Sequence, residues 1–307
     1  MSDAKISKVG WIGLGKMGTP MAANVLAAGF DLSVFNRSPG PMQPLLEKGA
    51  VAAPSAAALA LDRAAVVSMV SDDAALESVT TGAGGLFEQA RPGLIHVDMS
   101  TVSPEVSARV ASAAEAKGIR YLRAPVSGST ASAAARALTI LVSGPADACE
   151  QCTPLFGAIG RKHYYLGPAE QARYLKIAIN MMIGGTATLL GEALALGERG
   201  GVDWRQMVEV FDNSAVASPL IHYKADMLAD RNFAPMFTAA QMAKDFDLAL
   251  EAGRRGNVPM PLIAMSRQLF GAMIASGRGE MDFFGYVTLL EELAGLLHEQ
   301  NQALRKK

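Results

Sequence analysis

The run Val9-Gly10-Trp11-Ile12-Gly13-Leu14-Gly15-Lys16-Met17-Gly18-Thr19-Pro20-Met21 sets three glycines in GxGxxG spacing. The spacing alone is a weak signal, and its context strengthens it. KVGWIG before the glycines reads as a strand, and MGTPMAANVLAAG after them as a helix closed by Gly29. Gly13 permits a tight turn, Gly15 lets the backbone approach a pyrophosphate, and Gly18 lets the helix lie against the strand. The helix start offers N–H groups and the positive end of its dipole to phosphate. The stretch therefore reads as a dinucleotide cradle formed by Gly13, Leu14, Gly15, Lys16, Met17 and Gly18.

The next strand is DLSVFN. Enzymes that bind NAD(H) place an acid at its end for the ribose hydroxyls. This chain has Asn36-Arg37-Ser38 there. Arg37 can pair with a 2′-phosphate, with Asn36 and Ser38 as hydrogen-bonding partners, so NADP(H) is favoured over NAD(H). Met69 and Val70, which close the strand AAVVSMV, are read as further cofactor contacts.

The alternation continues through LIHVDMS, RYLRAPV, LTILVSG and HYYLG. Apolar runs of this length suit a sheet buried on both faces, and strand–helix alternation is the doubly wound α/β pattern. It stops near Gly167. The remainder reads as all helix, beginning with one long segment that has a possible irregularity at Gly184-Gly185 and ending with a helix that runs to the C-terminus. The expected architecture is a Rossmann-type, mainly parallel sheet over residues 1–166, followed by an all-α domain over 167–307 for substrate and oligomerisation.

Composition excludes several classes. Lys plus Arg number 28 and Asp plus Glu 29, so no basic excess points to nucleic acid. Cys149 and Cys152 form a CxxC with no second pair to complete a zinc site, inside a segment that reads as mid-helix. His96, His163, His222 and His298 have no metal spacing and read as structural or surface residues, so no metal is expected. The start lacks a signal-like apolar core, and the longest uncharged helical stretch, residues 177–191, is shorter than the ~20 residues of a membrane span. The expectation is a cytoplasmic protein with no membrane partner.

Taken together, GLGKMGTPMAANVLAAG, RAPVSGS, KIAIN and AKDFDLAL resemble, in order, the motifs of the β-hydroxyacid dehydrogenase family, over nearly the whole chain. That family includes 3-hydroxyisobutyrate dehydrogenases, tartronate semialdehyde reductases and glyoxylate/succinic semialdehyde reductases. The resemblance implies a C-terminal domain like that of 6-phosphogluconate dehydrogenase and assembly as a homodimer or homotetramer. Ser127, Gly128 and Ser129 would bind a substrate carboxylate. Lys176 would be the acid/base with Asn180 beside it, Lys244 would lie near substrate and nicotinamide ribose, Phe237 would line the pocket and Thr101 would lie near the nicotinamide. The chain departs from the pattern at Arg123, Ser129, Arg136 and Glu170, around the substrate loop, which bears on substrate identity more than on reaction type.

The residues themselves suit carbonyl reduction. A cofactor brings hydride and a positioned side chain brings the proton. Lys176 and Asn180, four apart, share a helix face. Gly184, next on that face, would leave room for a small substrate, and the apolar flanks of Lys176 would lower its pKa. The reading is hydride transfer between NADP(H) and a small hydroxy acid or its semialdehyde or oxo-acid partner. Two alternatives stand beside it: an imine reductase-like enzyme, and a non-catalytic NADP-binding sensor or scaffold.

Overall fold

The computed structural model describes residues 6–296. His298 and the end of the expected C-terminal helix lie outside them. The chain divides into two compact units, Met1–Lys176 and Ile177–Lys307.

In the first unit β1 (Lys8–Ile12), β2 (Asp31–Phe35), β3 (Val51–Ala52), β4 (Ala65–Ser68), β5 (Ile95–Asp98) and β6 (Arg120–Arg123) form one sheet in the order β3-β2-β1-β4-β5-β6. Every pairing in it is parallel. This is the strand order of a dinucleotide-binding fold, with its switch point between β1 and β4. Side chains alternate between faces along each strand. Trp11, Val67 and Leu122 enter one apolar core, and their neighbours Ile12, Val66 and Tyr121 enter another on the opposite face. Burial on both faces explains why these strands read as continuous apolar runs.

The segment RYLRAPV, expected as one strand, is two. Pro125 has no N–H to offer a ladder, and the chain leaves the first sheet there. The short β7 (Val126–Ser127) pairs antiparallel with β8 (Leu138–Val142), which pairs parallel with β9 (Gly160–Tyr165) in a separate three-stranded sheet. The CxxC segment is also interrupted. Helices Ala146–Gln151 and Thr153–Ile159 meet at Cys152, and both thiols are buried and unbridged.

The helix Gln171–Arg199 runs unbroken through Gly184 and Gly185 and across the division between units. By length and composition alone it could cross a membrane. Its first turns, however, are bonded to charged and polar groups of the first unit, described below, as suits a core helix. In the second unit helices are launched by side-chain caps at Asp203, Ser218 and Thr238. Thr238 and Gln241 form a reciprocal capping box at the start of the helix Ala239–Gly256. A fully buried Lys224–Asp282 pair at 2.7 Å lies in this unit. Asp282 also accepts backbone N–H bonds from Met236 and Phe237, which fixes the approach to Thr238.

Candidate active site

The glycine cradle has the geometry its spacing implies. Gly13 sits at φ +93°, where a side chain would strike the Met69 carbonyl, and a Cβ at Gly18 would strike the carbonyl of Gly13. A Cβ at Gly15 would meet nothing within 4 Å, so this position alone of the three faces open space. The buried Trp11 indole donates to Gly13 O at 3.0 Å and braces the turn. The helix Gly18–Ala27 that follows has no side-chain cap and no acid in its first turn. Its N-terminal N–H groups are thus free of the side chains that usually occupy them. An open Gly15 and an uncapped helix start fit a dinucleotide pyrophosphate.

Asn36 is braced by backbone on both sides. Its Oδ1 accepts the Leu14 N–H at 2.9 Å and its Nδ2 donates to Ser38 O at 2.8 Å. Asn36 therefore ties the cradle to the end of β2. Arg37 and Ser38 are exposed beyond it. Met69 and Val70 follow β4, half-buried, and the Val70 N–H donates to Ser100 Oγ at 2.9 Å. Thr101, also half-buried, comes next after Ser100.

Sequence reasoning missed a buried polar network at the ends of β4, β5 and β6. Ser68 Oγ lies 2.9 Å from His96 Nε2 and donates to Asp98 Oδ1 at 2.7 Å. Arg173, from the long helix, pairs with Asp98 and donates to Ser100 O at 2.6 Å, Ser107 Oγ at 3.1 Å and Tyr121 Oη at 3.0 Å. Burial pushes the Asp98 carboxyl up, but Arg173, His96 and the hydroxyls of Ser100 and Ser68 together hold it below the usual carboxylate range. Burial lowers His96 to about 4, with Asp98 opposing in part, so the imidazole is neutral at pH 7. The signal available in the sequence was an arginine one turn ahead of Lys176 in a largely apolar helix.

Lys176 follows Arg173 by three residues and is 9% exposed; Asn180, one turn on, is 6% exposed. Asn180 Nδ2 donates to Asp245 Oδ2 at 2.5 Å, and Lys244 Nζ stands 3.1 Å from Asp245 Oδ1. Asp245 thus joins two of the expected site residues, although it was not among them. Gly184 does not open a substrate space. A Cβ there would lie 2.6 Å from Met242 Sδ and closer still to the ring of Phe246, so glycine admits the neighbouring helix. Phe237 packs edge-on against Phe283, with ring centroids 6.1 Å apart.

In the loop after β7, Gly128 has φ +143° and a Cβ would meet Leu138 at 2.7 Å, so the position demands glycine. Ser129 Oγ caps the helix Thr130–Ala134 by accepting from Ser132 N at 3.2 Å, and Ser127 is half-buried at the end of its strand. Two of the residues that depart from the family pattern prove to be partners. Arg123 is ion-paired with Glu170, and both are largely buried. Arg136, exposed at φ +56°, lies 3.4 Å from Asn24 Oδ1.

A parallel 3-2-1-4-5-6 sheet with this cradle defines a nicotinamide-dinucleotide-binding protein carrying a helical second unit. Residues 8–167 match the NAD binding domain of 6-phosphogluconate dehydrogenase, and residues 171–290 match the NAD-binding domain of NADP-dependent 3-hydroxyisobutyrate dehydrogenase. The chain belongs to the β-hydroxyacid dehydrogenase family. It is 34% identical to 2-(hydroxymethyl)glutarate dehydrogenase of Eubacterium barkeri, over 95% of this chain and 97% of that one. It is 33% identical to the NAD-dependent L-serine dehydrogenase of Pseudomonas aeruginosa, over 91% of this chain and 96% of the other. The crystal structure of 3-hydroxyisobutyrate dehydrogenase from Salmonella typhimurium superimposes with a TM-score of 0.84 at 26% identity, covering 92% of this chain and 99% of that one.

Proposed function

We propose that the protein moves a hydride between NADP(H) and a small hydroxy acid or its semialdehyde or oxo-acid partner, with Lys176 as the acid/base. The observation that carries this reading is the placement of Lys176. It is nine-tenths buried, on a helix held by Arg173 one turn before it, with Asn180 on the same face one turn after it. The nicotinamide supplies or accepts the hydride when bound. Lys176 holds the proton that the carbonyl oxygen takes up in reduction, or accepts it in oxidation. Asp245 accepts an Asn180 N–H and so holds the amide that would orient substrate. Ser127, the Gly128 backbone and Ser129 make up the turn proposed for the substrate carboxylate, although Ser129 Oγ already serves the helix it caps. Arg37 would pair with the 2′-phosphate, with Lys16 in the neighbouring loop. Exposed Met182, Leu189 and Leu196 support a homo-oligomer.

The test is NADPH oxidation with glyoxylate, succinic semialdehyde, tartronate semialdehyde and methylmalonate semialdehyde, beside an imine control. Turnover of one or more oxo-acids at least a hundredfold above the imine is expected. Preferential turnover of the imine overturns the reading.

A further inference from the structure

We propose that Arg123, Ser143 and Glu170 form a positioning node that sets where Lys176 stands; this rests on the acid/base reading above. The three residues come from different elements and converge on the first turn of the long helix. The backbones of Arg123 and Ser143 exchange two hydrogen bonds, each 2.9 Å. Ser143 Oγ, in a fully buried side chain, donates to Ala169 O at 2.5 Å and accepts from Ala172 N at 3.2 Å. The Arg123 guanidinium donates through both Nε and Nη2 to Glu170 Oε1, the Nε bond being 2.8 Å. Arg123 also lies over the Tyr121 ring, 4.9 Å from its centroid. The node therefore grips residues 169–172 from the end of β6 and the end of β8.

A buried ion pair is weak evidence for stability, since its desolvation offsets its attraction. Its geometric effect is direct. Lys176 lies six residues beyond Glu170, about 9 Å along the axis at 1.5 Å per residue. A tilt of about 6° about the helix start moves its backbone by about 1 Å, a displacement that can cost roughly a hundredfold in rate. Arg173 holds the helix against Ser100, Ser107 and Asp98, and the node holds it a turn earlier against Arg123 and Ser143. Two grips at different heights restrain tilt, which neither does alone.

The experiment uses full-length Glu170→Gln, Arg123→Met, the double variant and the charge-exchanged Arg123→Glu/Glu170→Arg. The first readout needs no substrate: competitive acetylation of Lys176 by acetic anhydride, followed by mass spectrometry with Lys162 as the internal standard. Each single variant should change the relative labelling rate of Lys176 at least threefold and speed amide exchange over residues 169–175 at least tenfold. The double variant should match the singles, and the charge exchange should restore part of the effect. On the best oxo-acid substrate, turnover should fall at least tenfold while KM and NADPH affinity stay within about twofold. If Glu170→Gln does not fold, Glu170→Asp, which keeps the charge one methylene short, carries the same expectation. Unchanged labelling of Lys176, beside an inactive Lys176→Ala, overturns this proposal alone. A Lys176→Ala enzyme of near-normal turnover overturns the acid/base reading and this proposal with it.

Discussion

Asn180 and Asp245 are hydrogen-bonded at 2.5 Å across two helices of the second unit, and Asp245 is at the same time 3.1 Å from the ammonium of Lys244. One buried carboxylate thus fixes the amide of one candidate site residue and the charge of another. A hydrogen bond to a charged group is worth about 1.5–3 kcal/mol, and an unsatisfied remnant costs more. Asp245→Asn keeps the volume and loses the charge. It should lower turnover by about 10- to 100-fold by weakening the hold on Asn180 and removing the partner charge of Lys244, with a smaller change in NADPH affinity. Steady-state kinetics beside direct NADPH titration check this, and unaltered turnover contradicts it.

The cofactor prediction turns on Arg37, exposed just past the end of β2. Family relatives include a NAD-dependent enzyme, so membership alone does not choose between the two dinucleotides. NADP(H) should bind at least tenfold more tightly than NAD(H), a difference of about 1.4 kcal/mol. Arg37→Ala should remove most of that preference and leave NAD(H) affinity within about twofold. Asn36→Ala should weaken both cofactors alike, because Asn36 holds the Leu14 backbone. Calorimetric titration of both dinucleotides decides it, and tighter binding of NAD(H) refutes the assignment.

Neutral, buried His96 makes a pH prediction. Its folded pKa, about 4, lies below its ordinary 6.5. The unfolded chain therefore takes up a proton that the folded chain refuses, and stability falls as pH drops through that window. The loss should be about 2 kcal/mol between pH 7 and pH 5. Asp98, held below its usual range, extends the loss further into acid, where its pairing with Arg173 gives way. His96→Gln should flatten the pH 7-to-5 change in urea-unfolding free energy. A variant that retains the full slope would assign it to other groups.

Much of the architecture was legible because it depends on local patterns. Strand–helix alternation and the glycine spacing each follow from neighbours in the chain. What was not legible depends on pairs distant in sequence. Arg123 and Glu170 are 47 residues apart, and each looked like a separate departure from the family pattern until the fold joined them. Arg173 reaches Asp98 across 75 residues, and Asn180 reaches Asp245 across 65. Gly184 was misread for a related reason. Periodicity showed which face it occupies, but not that Met242 and Phe246 fill the space before that face. The splitting of RYLRAPV at Pro125 was signalled locally, since proline cannot donate to a ladder.

The long helix carries an exposed apolar row at seven-residue spacing: Leu175, Met182, Leu189 and Leu196, the last three about 70% exposed or more. Such a row drifts only ~20° per heptad around a straight helix, so it forms one continuous stripe. Covering it with a second copy of the chain is the expected use. Light scattering should show a dimer or tetramer at micromolar concentration. Met182→Glu/Leu189→Glu should shift the population toward monomer without unfolding it, because both side chains already face water. A monomeric parent protein contradicts the expectation.

The last prediction separates the two lysines. Lys176 is 9% exposed, whereas the side chain of Lys244 is 33% exposed and lies 3.1 Å from a carboxylate. A proton donor must reach the oxygen that gains the proton, and removing one typically costs at least about a hundredfold. Lys176→Ala should therefore lower turnover by at least that factor, with NADPH affinity barely changed, since the glycine cradle and Arg37 are proposed to hold the phosphates. Lys176→Arg should not restore activity, because guanidinium keeps its proton at neutral pH. Asn180→Ala should slow the reaction and raise KM, as expected for a group that orients substrate in both ground and transition states. Lys244→Ala should weaken substrate or cofactor binding more than it slows hydride transfer. Single-turnover measurements with bound NADPH isolate that step from product release. If Lys244→Ala abolishes hydride transfer while Lys176→Ala retains a near-normal rate, the proton comes from Lys244 and the assignment to Lys176 is wrong.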